Sequence, residues 1–177
     1  MKWLVRSHIR KWSVPGLPIG LSITPSCNLL VTCQYPNKLV ELSADSGHRV
    51  RGIALQSEID DPWHSVQLTT GQLVVCHDGN LYHGVCVVGD DGNKVTRSYG
   101  SQSGSDVRQL YDPCHLAVDE DSQFIFVADR GDARVVLLSP TLEFVRHVSV
   151  PRPCGLYQAT RRLFVSYRLG DVTVIQF

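Results

Sequence analysis

The residues best suited to chemistry are two histidines, His64 and His115, each of which is the third residue of a Pro-x-His segment. Imidazole nitrogens bind zinc well, and a catalytic zinc normally has three protein ligands and a water molecule. In two similar segments of the chain the corresponding positions hold Gly20 and Gly155. Because only two histidines converge, we predict no catalytic metal and no cofactor, with a metal site at His64 and His115 as the weaker alternative.

Other catalytic arrangements are less well supported. Cys76 and His77 are adjacent, and neighbouring residues of a strand point to opposite faces, which disfavours a Cys/His dyad. His77 and His83 are more distant candidates for metal ligands in loops. The Gly/Ser-rich stretch at 98–106 lacks the lysine of a phosphate-binding loop, and the GxSxG motif of serine hydrolases is absent. We therefore predict that the chain is not an enzyme.

The elements that position these residues recur along the chain. Four similar segments, 40 to 51 residues apart, each open with Pro-x-Gly or Pro-x-His and continue with an apolar run, a polar turn and a second run rich in Val, Leu and Phe. Such a period fits four short strands per unit, as in the blades of a β-propeller. We predict one all-β domain over residues 1–177, with about four four-stranded blades. They begin at Pro18, Pro62, Pro113 and Pro153.

The last unit ends after its third predicted strand, at Phe177. The amino-terminal segment at 1–14 precedes the first opening proline as the segment FVRHVSV precedes Pro153, so we expect it to supply the outermost strand of the last blade and to close a ring of four blades. Two alternatives stay open at this point. The chain is an open part of a longer propeller, or a further copy completes the ring.

Bulk properties limit the classes of function. Charged residues make up 19% of the sequence and the formal net charge is zero, so nothing demands a nucleic-acid partner. The amino terminus does not resemble a signal peptide and no apolar run is long enough for a membrane helix. The six cysteines form no CxxC pair and mostly lie in apolar runs, which is typical of buried free thiols. We predict a cytoplasmic protein without a membrane partner.

The third unit, PCHLAVDEDSQFIFVADRGDARVVLL, resembles an NHL repeat. The residues that match the family pattern are Pro113, His115, Val127, Ala128, Asp129, Arg134 and Val135. The chain is further similar to the carboxy-terminal propellers of invertebrate tripartite-motif-like proteins, which recognise partners. NHL propellers usually carry six blades, and no RING, B-box or coiled-coil segment is present here. In the related peptidyl-hydroxyglycine amidating lyases, histidines at similar positions bind zinc, which makes a lyase-like enzyme the second alternative. We expect Arg134 to pair with Asp129 or Asp132.

The resemblance implies a binding scaffold for a protein or peptide partner, which the loops around the propeller channel would contact. An RNA-binding propeller is the first alternative, with Arg6, Arg10, Lys11, Arg161, Arg162 and Arg168 as further basic candidates and Tyr167 as a further stacking residue. The oligomeric state stays open. The residues expected on or near the binding surface are Trp63, His64, His115, Arg130, Arg152 and Tyr157.

Overall fold

A computed structural model describes residues 10–79, 82–89, 91–92, 94–101, 108–168 and 170–177, which form fifteen strands and no helix. Blade 1 comprises β1 (Leu17–Ile23), β2 (Leu29–Gln34), β3 (Lys38–Leu42) and β4 (Arg49–Ala54). Blade 2 comprises β5 (Pro62–Gln67), β6 (Leu73–Asp78), β7 (His83–Val88) and β8 (Val95–Ser101). Blade 3 comprises β9 (Pro113–Val118), β10 (Ile125–Asp129), β11 (Arg134–Leu138) and β12 (Phe144–Ser149). Blade 4 comprises β13 (Pro153–Ala159), β14 (Arg162–Tyr167) and β15 (Val172–Gln176).

Each blade is an antiparallel sheet whose strands pair in sequence order, and the four sheets form a four-bladed β-propeller. The predicted all-β propeller is confirmed, with blades that begin near the predicted prolines. The expected outermost strand of blade 4 falls largely on residues 1–9, which lie outside the described residues. The described part of that segment packs on blade 1, where Trp12 and Val14 contact the sheet. No helix in the described ranges is long and apolar enough to cross a membrane.

A register irregularity follows the opening proline in every blade. In blades 1, 2 and 4 it lies between the opening proline and the residue two positions later, for example between Pro18 and Gly20. In blade 3 the pairing with β10 shifts between Pro113 and His115. Proline donates no ladder hydrogen bond, so a bulge at this step costs the sheet little. The bulge aims the third residue of each Pro-x-His or Pro-x-Gly segment at the gap between two blades.

The core consists of apolar layers between consecutive blades. One layer joins blades 1 and 2 through residues such as Leu30 and Leu73, and a second joins blades 2 and 3 through Val74 and Leu116. The third layer joins blades 3 and 4 and includes Leu163. The strands are buried on both faces in these layers, which explains why their sequences are continuous apolar runs rather than strict alternations.

The inner strands β1, β5, β9 and β13 all begin at the same side of the propeller. We call this side the proline end; it also carries the β2–β3, β6–β7, β10–β11 and β14–β15 turns. The opposite end carries the remaining turns within each sheet. The proline end is where the predicted binding loops gather.

Candidate functional site

His64 and His115 form a stacked pair between blades 2 and 3, with ring centroids 3.8 Å apart. His64 Nε2 donates to the carbonyl oxygen of Leu21 in blade 1 at 3.1 Å, and its Nδ1 accepts from the N–H of Leu116 in blade 3 at 3.4 Å. His115 Nδ1 accepts from the N–H of Leu156 in blade 4 at 3.4 Å. The pair therefore ties all four blades together near the channel.

Both imidazoles are neutral at ordinary pH. Burial, reinforced by the neighbouring His115, lowers the pKa of His64 to about 3, and burial also lowers the pKa of His115. Both ring nitrogens of His64 are engaged by backbone groups, so His64 offers no free lone pair to a metal ion. Within the described ranges no three His, Cys, Asp or Glu side chains gather in a group that could hold a metal ion. The geometry favours the structural role for these histidines.

Arg130 lies at the proline end, at the junction of blades 2 and 3. Its guanidinium carbon stands 5.5 Å from the centroid of the Trp63 ring, a cation–π contact. The same guanidinium donates two hydrogen bonds to the Asp112 carboxylate, at 2.6 and 2.7 Å. The Asp112 carboxylate raises the pKa of Arg130 further. The predicted residues Trp63 and Arg130 are therefore brought together, and a carboxylate holds the arginine in place.

Two exposed tyrosines extend this group. Tyr82, on the β6–β7 turn, is 56% exposed, and Tyr111, just before β9, is 50% exposed. His83, the residue after Tyr82, stands edge-on to Tyr111 at 5.7 Å and contacts Asp78 through Nδ1. We call Trp63, Tyr82, His83, Tyr111 and Arg130 the aromatic surface. Tyr82, His83 and Tyr111 were not predicted as partner-binding residues, since only the strand register places these turns side by side.

The segment that carries Tyr111 is held by a buried ion pair. Asp129, fully buried, accepts from the N–H of Tyr111 at 2.8 Å and from Arg134 Nε at 2.7 Å. Arg134 also donates to Asp132 at 3.1 Å and to the carbonyl oxygen of Gln109 at 2.6 Å. The Val-Ala-Asp turn of the third unit therefore fixes the backbone beneath the aromatic surface, and Arg134 pairs with both of the carboxylates that the sequence offered.

Two predicted residues lie elsewhere. Arg152 is exposed at the proline end of blade 4, just before β13. Tyr157 is 67% exposed and lies beside Phe164 on the face of blade 4 that points away from blade 3. Tyr157 is separated from the aromatic surface because it follows Leu156, whose side chain packs toward blade 3, and successive strand residues point to opposite faces.

A cavity of about 840 Å³ opens beside the aromatic surface, between the connection at 56–60 and blade 2. Tyr82 and His83 line it, together with His77 and Cys86. Cys86 Sγ lies 3.4 Å from His77 Nε2, whereas the Nδ1 atom of His77 is buried without a hydrogen-bond partner. The sequence places Cys76 beside His77, and only the β6–β7 register brings Cys86 to His77, so this pair was not predicted.

The electrostatics of this pair oppose nucleophilic chemistry. Burial lowers the pKa of His77 to about 4 and raises the pKa of the Cys86 thiol to about 11. A proton therefore stays on sulfur, and transfer to the imidazole is strongly uphill at neutral pH. The cavity offers a neutral imidazole, a thiol and aromatic walls, which suits binding better than covalent catalysis.

The basic residues named for RNA binding do not form one surface. Arg130, Arg152 and Arg168 lie at the proline end, whereas Arg161 and Arg162 lie on the β13–β14 turn at the opposite end. Arg10, which contacts the backbone carbonyl of Asp45 in the β3–β4 turn, also lies at the opposite end. Arg6 is outside the described residues. This separation follows from the topology, since alternate turns of each sheet project from opposite ends.

Comparison with known proteins establishes the fold but no family. No family model matches the sequence, and no curated protein matches it. A solved structure of hydrazine synthase from Kuenenia stuttgartiensis superposes with a TM-score of 0.63 at 14% identity, covering 96% of this chain and 74% of that chain. Virginiamycin B lyase from Staphylococcus aureus gives a TM-score of 0.62 at 11% identity, covering 95% of this chain and 59% of that chain. A nidogen/laminin complex gives a TM-score of 0.69 at 16% identity, covering 84% of this chain and 55% of that chain. The chain thus spans little more than half the length of the last two.

Proposed function

We propose that this chain is a non-catalytic binding scaffold that takes a protein or peptide partner at its proline end, across blades 2 and 3. The observation that carries the proposal is the aromatic surface, which combines an arginine held over a tryptophan with two exposed tyrosines. Tyrosine, tryptophan and arginine are the residues that contribute most to binding energy in protein interfaces. The NHL type, which the third unit resembles, is part of the same proposal.

The aromatic surface is rigid before a partner arrives. Asp112 fixes the Arg130 guanidinium, and Asp129 fixes the backbone N–H of Tyr111. Side chains that are already ordered lose little conformational entropy on binding, so more of the contact energy appears as affinity. This preorganisation supports a recognition role for the arrangement.

The adjoining cavity would accept an anchor side chain of the partner. Its volume of about 840 Å³ is within the range of small-molecule pockets and is ample for one large side chain. His77 Nδ1, buried without a partner, would exchange a hydrogen bond with a polar group of that anchor. We expect the preferred peptides to combine an aromatic or aliphatic anchor with an acceptor near Arg130.

The structural comparisons support this proposal only at the level of the fold. Nidogen, a propeller-like neighbour, was solved in complex with laminin, so a sheet arrangement of this kind accompanies protein recognition in that molecule. The lyase and the hydrazine synthase show that similar folds also occur in enzymes. The proposal therefore depends on the side chains of this chain.

Selection from a phage-displayed library of random peptides tests the proposal. We expect enriched peptides to bind the wild-type chain and to lose about tenfold or more in affinity when Tyr82→Ala or Arg130→Ala is introduced. Val145→Ala is the matched control, because Val145 is an exposed apolar residue of β12, away from the aromatic surface.

Enriched peptides whose affinity is unchanged by both Tyr82→Ala and Arg130→Ala would contradict the proposed site. Failure to enrich any peptide, together with tight binding of a random RNA pool that weakens steeply with salt, would replace the proposal by the RNA alternative.

A further inference from the structure

Two sheet faces of the propeller carry exposed apolar side chains. On β1, Leu21 and Ile23 are 60% and 71% exposed, on the face that points away from blade 2. On blade 4, Tyr157, Val172 and Val174 are 67%, 63% and 48% exposed, on the face that points away from blade 3. We call these the start face and the end face. Since both are exposed, blade 4 does not cover β1 among the residues that the structure describes.

The end face repeats a surface that is buried elsewhere in the same molecule. In blade 3, cross-strand pairing aligns Ala117, Phe126 and Leu137, and in blade 4 it aligns Tyr157, Phe164 and Val174 in the same register. The side chains of blade 3 at these positions pack against blade 4; Phe126 is 5% exposed. Their counterparts Tyr157 and Val174 in blade 4 are instead exposed.

A second pair of positions on the same face gives the same contrast. Val135 pairs with Ala128, and Val172 pairs with Ser166 at the matching positions of blade 4. Val135 is 3% exposed, whereas Val172 is 63% exposed. The end face is thus built like an interior blade interface but faces solvent.

The start face shows the complementary gap. Leu21 and Leu156 are equivalent, because each lies three residues after the opening proline of its blade. Leu156 is only 6% exposed, because blade 3 covers it. Trp12 and Val14 lie across the second and third strands of blade 1, as Val148 and Val150 lie against blade 4. Residues 10–14 therefore lie where the outer strand of a preceding blade would lie, and in the described part of the chain no inner strands of such a blade cover Leu21.

We infer that a second copy of this chain supplies them, so that blade 4 of each copy packs its end face on the start face of the other copy. The contact continues the series of blade-to-blade interfaces that already exists within the chain. It also brings the edge of β15, which is unpaired among the described residues, next to residues 10–14 of the partner and so covers that strand edge. Two such contacts, related by a two-fold axis, close one ring from the blades of both copies.

Sedimentation equilibrium or light scattering of the purified chain tests the inference. We expect twice the monomer mass of 19.7 kDa, with dissociation at low concentration. Leu21→Asp on the start face and Val174→Asp on the end face should each give monomers. Val145→Asp, an equally polar change at an exposed valine of β12, should stay dimeric. Circular dichroism of each variant verifies that the sheets are intact.

A mixing experiment distinguishes this contact from a symmetric one. Leu21→Asp retains a native end face and Val174→Asp retains a native start face, so an equimolar mixture should form a heterodimer through one contact although each variant alone is monomeric. A folded wild-type chain with monomer mass would overturn the inference. A dimer that survives both substitutions would also overturn it, because another surface would then hold the copies together.

Discussion

His64 stacks on His115 across the junction of blades 2 and 3, and the two neutral imidazoles accept backbone N–H groups of blades 3 and 4. The two histidines of the Pro-x-His segments are thus a structural link between blades. The bulge after each opening proline makes this possible, because it turns the third residue toward the next blade.

The buried histidines make stability depend on pH. In the unfolded chain they take up a proton near pH 6.5, whereas in the folded chain His64 does so only at about 3 and His77 only at about 4. Between these values each histidine binds more protons in the unfolded state, so the histidine contribution to the free energy of unfolding falls as pH falls; burial raises the pKa of Asp129 to about 6, which acts in the opposite direction. We expect each histidine to contribute a loss of about 1.4 kcal/mol per pH unit between pH 6.5 and its pKa in the folded chain.

Urea denaturation at a series of pH values measures this dependence. The difference between the wild-type chain and His64→Gln isolates the contribution of His64, since other titrating groups are common to both proteins. The pH dependence of the variant should be less steep by about one proton between pH 6 and 4. Identical slopes for the two proteins would show that His64 is not buried in its neutral form.

Gly20 and Gly155 occupy equivalent positions but should differ in tolerance to a side chain. A Cβ on Gly20 would lie 2.5 Å from the carbonyl oxygen of Trp63, which belongs to the backbone of blade 2. A Cβ on Gly155 would meet only the Ser166 hydroxyl, at 2.6 Å, and a side chain can rotate away. We expect Gly20→Ala to reduce the free energy of unfolding by about 1–3 kcal/mol, with a smaller effect for Gly155→Ala.

Thermal and denaturant unfolding of the two glycine variants provides the comparison. If both variants unfold like the wild-type chain, blades 1 and 2 are not packed as closely as the structure shows.

Replacing either of two arginines that pair with aspartates should change the free energy of unfolding by very different amounts. Arg134 pairs with Asp129, whose side chain is 0% exposed, so Arg134→Ala leaves a buried carboxylate unpaired and should destabilise the fold by about 3–5 kcal/mol. Arg130 and Asp112 keep 29% and 24% of their side chains exposed, and Arg130→Ala should cost about 1 kcal/mol or less. Chemical denaturation gives both values, and equal losses would contradict the burial of the Arg134 pair.

Thiol reactivity follows burial. Cys27 is exposed, and we expect it to react rapidly with an aromatic disulfide reagent. Burial raises the pKa of Cys86 to about 11 and that of Cys114 to about 12, so these thiols should react only on unfolding. Mass spectrometry after brief labelling identifies the modified residues; rapid labelling of Cys86 in the folded chain would show that the cavity admits the reagent and activates the thiol.

The sequence was sufficient to predict the blades because each repeats a proline, a bulge position and two apolar runs, and these are local signals. It also predicted a pair between Arg134 and either Asp129 or Asp132, which lie within five residues of it, and the structure has both pairs. These features depend on residues that are close in the sequence and not on the contacts between blades.

The members of the aromatic surface were only partly predicted because the surface depends on contacts between distant segments. Trp63 and Arg130 were expected at one surface and lie together. Tyr157 was expected there as well, but its position in β13 directs it to the end face. The pairing of His77 with Cys86 depends on strand register, and position in the sequence alone gives no signal of it.

Site-specific photo-crosslinking tests the central claim most directly, namely that the aromatic surface receives a protein partner. A photoreactive phenylalanine would replace Tyr82 or Tyr111, with Val145 as the control position, and the chain would be irradiated in cells that naturally express it. We predict a protein adduct from positions 82 and 111 that disappears with Arg130→Ala, and none from position 145. Equal adducts from all three positions, or adducts with nucleic acid alone, would contradict the account.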